Sequence, residues 1–259
     1  MKKNFRIILF LAAFSAAVLV SCSDDNDHPV TEANCLPDNL QDGLVAAYTF
    51  GAGSLTDAVG NADLTLAGGV QQGVDRDGNP KCAYTFDGQE TSHLSTQSVT
   101  ALNGLTEMSI SLWYKPETGN GQDYQTLIST QAGLQYPWAA DYWSVGLYDC
   151  LRAVYTADAQ VWDGFVMDNF TSCEDEVATR AASWHYLTVT YSQSAGEIKI
   201  YHNGLLQQTA PIVSNTSGNI GALFIGHSFK GAIDDIAIYN RVITHAEMDA
   251  LYALDACCQ

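Results

Sequence analysis

The chain has 259 residues, with 11 Lys and Arg against 29 Asp and Glu and a formal net charge of −18 at pH 7. So acidic a surface repels phosphate backbones and anionic headgroups, which excludes a nucleic-acid partner, or a membrane partner held by the chain's own charge. The balance fits plain solubility, a neutral or cationic ligand, or a surface loaded with divalent cations.

Residues 1–21 read as a leader outside the fold. Lys2, Lys3 and Arg6 precede the apolar run IILFLAAFSAAVLV, which is too short and wrongly flanked for a stable span. The run ends in LVSC, Leu19 to Cys22, which resembles a bacterial lipobox and implies acylation of Cys22. The alternative is an ordinary secretory peptide with a chance cysteine. Residues 22–39, including SDDNDHPVTEAN, read as an acidic flexible tether. Acids directly after the lipidated cysteine resemble the signal for the outer face of the outer membrane. The expected location is therefore a surface-exposed outer-membrane lipoprotein, touching the membrane only through its lipid.

Residues 40–259 read as one domain. In chain order, strand signals rich in β-branched and aromatic residues fall at 43–50, 82–88, 107–115, 142–149, 183–192, 197–203, 205–209, 222–228 and 231–240. Clusters of Gly, Asn, Asp and Ser separate them. In EMSISLWYK, Met108, Ile110, Leu112 and Tyr114 share one face, and Glu107, Ser109 and Ser111 share the other, which is expected to meet solvent. Asn203-Gly204 predicts a hairpin turn, because both turn residues need positive φ. The only convincing helix is THAEMDALYAL, opened by a Thr244/Glu247 capping box. Many strands and one terminal helix predict an all-β, antiparallel two-sheet jelly roll.

Besides Cys22 there are six cysteines, and an even number in an exported chain suggests disulfides. We expect Cys150 to pair with Cys173, and Cys35 with Cys257 or Cys258. No spacing of Cys or His points to zinc.

The ordered set GLVAAYTF, DAVGNADLTL, DRDGNPKCAYTFDG, MSISLWYKP, WHYLTVTYSQSAGEIKIYHNGLL and LFIGHSFKGAIDDIAIYNRVITHAEMDALY resembles the laminin-G-like jelly roll of the concanavalin A-like lectin/glucanase superfamily. The resemblance covers about 200 residues. It implies binding to an extracellular glycan or a surface protein, since relatives include lectins, adhesive domains and some glycosidases. It also implies a structural Ca²⁺ near Asp57 and Asn61 of DAVGNAD and Asp234 and Asp235 of the IDD strand, oxygens of the kind Ca²⁺ takes. That ion would neutralise whichever acid lies on an apolar surface. Backbone N–H bonds, or pairing with Arg241 or Lys230, would do the same. DRDGN reads as a tight turn.

Catalytic signals are poor. Glu174, Asp175 and Glu176 are consecutive in CEDEVA and lack the spacing of a glucanase triad, so they read as a solvated acidic loop. GHSFKG does not fit a nucleophile elbow. The stretch 134–165 concentrates aromatics, whose flat faces suit sugar stacking. Trp138 and Trp162 are the expected platforms, with Tyr136 beside them and Asp141 and Arg152 as hydrogen-bonding partners. The alternative is that these aromatics pack a core or loop, and Trp113, Trp143 and Trp184 read as core. The function expected is lectin-like, non-catalytic binding of carbohydrate. A protein-binding adhesive domain is the alternative, and a glycosidase a weaker one.

Overall fold

The computed structural model describes residues 35–60, 62–97, 99–117, 124–131, 142–157, 161–165, 172–181, 183–212 and 221–256. The strands run β1 (Leu44–Tyr48), β2 (Thr65–Ala67), β3 (Gln71–Val74), β4 (Pro80–Asp87), β5 (His93–Thr96), β6 (Glu107–Pro116), β7 (Gln125–Ser129) and β8 (Trp143–Tyr148). They continue with β9 (Arg152–Ala157), β10 (Val161–Phe165), β11 (His185–Ser192), β12 (Glu197–His202), β13 (Leu205–Pro211), β14 (Leu223–Ile225) and β15 (Lys230–Tyr239). Helix α1 (Cys173–Arg180) lies between β10 and β11, and α2 (His245–Tyr252) follows β15.

These form the two expected antiparallel sheets. One has the order β13-β12-β11-β6-β15-β4-β3, with β1 also on β15; the other runs β10-β9-β8-β7-β14-β5-β2. Alternation along β6 works as read: Met108, Ile110, Leu112 and Tyr114 enter the core between the sheets, with Leu187, Val189, Ile198 and Ile233. Trp143 is fully buried there as well.

The opposite face of β6 departs from expectation. Ser109 and Ser111 are buried, not solvated. A second apolar cluster lies on this face, in which Leu40 from the N-terminal segment, Ile243, and Met248 and Leu251 from α2 pack on Tyr186 of β11 and on Ala237 and Tyr239 of β15. Ser109 is satisfied in place: its hydroxyl donates to the Arg241 carbonyl at 2.8 Å and accepts the Ile243 N–H at 3.0 Å. A small hydroxyl is what allows a helix to close over that strand.

Helix α2 begins as its sequence requires, with the full Thr244/Glu247 capping box. Asn203 and Gly204 take φ of 50° and 78° in the β12–β13 turn. Helix α1 corrects the reading of CEDEVA as a loop. Ser172 caps it, accepting the Asp175 N–H at 3.2 Å, and three acids in the first turn face the positive end of the helix. The Cys150–Cys173 disulfide forms as expected and joins the β8–β9 turn to the start of α1. Cys35 and Cys82 are also disulfide-bonded, whereas Cys257 lies outside the described residues.

The Arg241 guanidinium holds Glu247 at 2.5 Å and, with the helix cap, lowers its carboxyl to a pKa of about 2. A folded pKa below the unfolded value gives stability present above about pH 4.5 and lost as pH falls toward 2. Glu247→Gln should therefore cost about 1–2 kcal/mol at pH 7. Its melting temperature should converge with the parent's as pH drops through that window, which a series of thermal melts would read.

Candidate functional site

The paired aspartates of β15 meet an arginine. Strand β15 runs beside β6 throughout, but on its other side β4 pairs with residues 230–233 and β1 with residues 236–239. At that changeover a bulge interrupts the register between Asp234 and Ala237, and Asp235 adopts φ of 43°. The bulge undoes the alternation that would send the two carboxylates to opposite faces. Both reach Arg76, from the β3–β4 turn, at 3.3 Å and 2.5 Å.

Arg76 is itself buried, 8% exposed. It donates to the Leu254 carbonyl at 2.8 Å and lies 4.6 Å over the Trp113 ring. Trp113 in turn stacks on Tyr252 of α2. Asp77, next along the turn, accepts the Ala256 N–H at 2.7 Å. The DRDGN segment is the expected tight turn, because Asp75 accepts the N–H groups of Asp77 and Asn79 and the Asn79 amide. It is also the strap over the chain's C-terminal segment. Burial and the neighbouring Asp235 push the Asp234 carboxyl well above the usual range, with Arg76 pulling the other way.

The early and late acids read as calcium ligands do not converge. Asp57 accepts the N–H groups of Ala47, Val59 and Ala62, while Asp63 accepts that of Asp57. Asp234 and Asp235 face the guanidinium, which supplies positive charge where a cation was expected. Asn61 lies outside the described residues. Among the described residues, the acids and thiols close enough to share an ion are Asp149, Cys150 and Cys173, two of which form the disulfide.

On the covered side of Arg76, Leu36, Trp113, Ile236, Leu251 and Leu254 help enclose about 30 Å³, a space of water size. On its other side the same sheet face is open. A groove of about 370 Å³ is lined by Val74, Asp75, Thr85, Lys115, Glu117 and Trp184, with Gly73, Gly231 and Ala232 as its floor. That volume lies in the range of small-ligand sites. Register explains the arrangement. Ala232 is opposite both Lys115 and Thr85, and Trp184 comes one position before His185, which faces Tyr114. Trp184, Lys115, Ala232 and Thr85 therefore form one row across four strand positions, each about 4.8 Å from the next.

The floor must stay small. A Cβ on Gly231 would meet the Lys115 carbonyl at 2.2 Å, and one on Gly73 would meet the Thr85 methyl at 2.7 Å. Trp184 is half-buried at the edge of this floor. Its ring can serve as a stacking plane, which corrects its reading as a core aromatic; Trp113 likewise serves the covered face and not the central core.

Of the expected platform residues, Tyr136, Trp138 and Asp141 lie outside the described residues, as does the Trp162 side chain. Arg152 is placed, and its guanidinium is taken up internally. It makes three hydrogen bonds of 2.6–3.0 Å to fully buried Glu176, which also pairs with Arg180. Far from a solvated acid, Glu176 is the pin that holds α1 to β9. Sequence reasoning missed Trp184, Lys115 and Arg76. The β6 alternation carried a signal for one of them, since Lys115 shares parity with the polar Ser109 and Ser111.

Residues 87–249 match the family model of the concanavalin A-like lectin/glucanases superfamily, and the chain belongs to that superfamily. Among solved structures, it is similar to the binding domain of Paraclostridial Mosquitocidal Protein 1 (18% identity, TM-score 0.61, covering 82% of this chain and 52% of that one). It is also similar to domain 4 of AbnA, a GH43 extracellular arabinanase from Geobacillus stearothermophilus, in complex with arabinotriose (19%, 0.60, covering 81% and 98%). A third is the botulinum neurotoxin DC binding domain in complex with rat synaptotagmin II (18%, 0.59, covering 82% and 52%). The chain spans about half the length of these toxin binding domains. At such identities the likeness is one of fold. Comparison with curated sequences gives no match.

Removing Arg76 would strand two carboxylates in a buried setting. Arg76→Ala should lose about 3–5 kcal/mol in urea unfolding. Adding Asp234→Asn and Asp235→Asn to that variant should restore part of the loss; no recovery would mean that the arginine acts through packing alone.

Proposed function

We propose that this domain is a non-catalytic carbohydrate-binding module whose ligand lies in the Trp184 groove. The observation that carries this reading is the pairing of a half-buried indole with a side-chain-poor floor, flanked by polar Thr85, Lys115 and Glu117. A pyranose has apolar C–H faces and a rim of hydroxyls, so it needs one flat apolar wall and several polar groups around it. Support also comes from the superfamily and from the arabinotriose in the AbnA domain. Among the described residues, the two acids lining the groove have other partners: Asp75 is committed to its own turn and Glu117 pairs with Lys230 at 3.5 Å. The reading is completed by an acylated Cys22 holding the domain at the outer-membrane surface through the acidic tether.

A glycan array followed by calorimetry on the best ligand tests the site. Trp184→Ala should weaken binding tenfold or more, about 1.4 kcal/mol or above, with an unchanged melting temperature. Trp138→Ala and Trp162→Ala, in the aromatic excursion, should bind like the parent. Loss in either of those two with retention in Trp184→Ala would move the site to the excursion.

A further inference from the structure

The groove's charge says which sugars it takes; this inference rests on the carbohydrate reading above. Eight cationic side chains follow residue 6, in a chain with 29 acids. Six of them are in ion pairs with carboxylates: Arg76, Arg152, Arg180, Lys199, Lys230 and Arg241. Where acids so outnumber cations, a cation left unpaired is the exception. Among the described residues the exceptions are Lys81 and Lys115. Lys81 is exposed on β4, where water solvates its ammonium.

Lys115 is different. It is half-buried, and it stands between Trp184 and Ala232 in the row that crosses the groove. Its three N–H donors have no acceptor among the described side chains. With no ion pair and no side-chain hydrogen bond to a described residue, its donors are available to a ligand in the groove. The two acids that share the groove are already occupied. Asp75 accepts three hydrogen bonds within its turn, and Glu117 pairs with Lys230.

We infer that the groove recognises an anionic sugar, a ring stacked on Trp184 that carries a carboxylate or a sulfate ester to the Lys115 ammonium. The rest of the acidic surface makes this a filter. The overall charge of −18 disfavours polyanions over most of the surface, so binding in the groove demands that the acid group fall beside Lys115. Lysine suits this role, because a point charge accepts either a planar carboxylate or a tetrahedral sulfate.

The test is an array of matched neutral, uronic-acid-bearing and sulfated oligosaccharides, followed by calorimetry on the best binder, with the full domain. Acidic glycans should dominate the bound set. Lys115→Gln should weaken them about tenfold or more, while Lys115→Arg should keep most of the affinity. Raising NaCl from 50 to 500 mM should weaken them further. Whether uronate or sulfate binds better identifies the source of the anion. Neutral glycans bound through Trp184 and indifferent to Lys115→Gln would overturn this inference and leave the carbohydrate reading standing. Binding to nothing on the array would overturn both.

Discussion

One guanidinium organises the outer face of the larger sheet. Arg76 faces two adjacent carboxylates on β15, an indole on β6 and a carbonyl beyond α2, and so joins strands far apart in sequence to the chain's C-terminal segment. An ion pair this buried adds little over a well-packed apolar substitute, because desolvation offsets most of the attraction. Its value lies in specificity. The β15 bulge puts two carboxyl groups at one spot, and only an arrangement that delivers a cation there is tolerable. The turn that delivers it is therefore fixed in place, and so is the segment strapped beneath it.

That arrangement divides the face in two. On one side of Arg76, serines on β6 and large apolar groups on β15 and α2 close over the sheet. On the other, the same strands carry Gly231, Ala232 and Gly73, and nothing described lies over them. The change follows from side-chain size along two strands. Tall residues at Ala237's end of β15, such as Tyr239, need a cover, whereas the low residues at the other end leave a trough. Trp184 and Lys115 stand at its edge because the β11–β6 register sets them side by side.

Much of this architecture was legible in the sequence. Richness in β-branched and aromatic residues marked β6, β11 and β15, and alternation gave the core face of β6; the Thr244/Glu247 box gave α2; Asn203-Gly204 gave a hairpin turn. Short strands such as β2, β3 and β5 were not legible, because three or four residues show no period and their pairing is decided by neighbours far along the chain. Helix α1 was hidden behind its acids, which resemble a loop until Ser172 is recognised as a cap and Glu176 is given its two arginines. The calcium expectation came from the family resemblance, and strand alternation posed only the question of what meets a stranded charge. Alternation could not show that a bulge would gather both aspartates toward a turn more than 150 residues earlier.

The groove was missed for a related reason. Trp184 and Lys115 are about 70 residues apart in sequence, and neither is unusual alone. An aromatic before a strand usually packs, and a lysine at the end of one usually meets water. What makes them a candidate site is their register across the sheet together with the small residues on the neighbouring strands. A tryptophan can remain half-open only where its neighbours are too small to cover it. Lys115 remains unpaired in this acidic chain because the acids that share its groove have other partners. Among the described residues, those acids are Asp75 and Glu117. The recognition chemistry proposed for the groove thus comes from pairings the fold withholds as much as from those it makes.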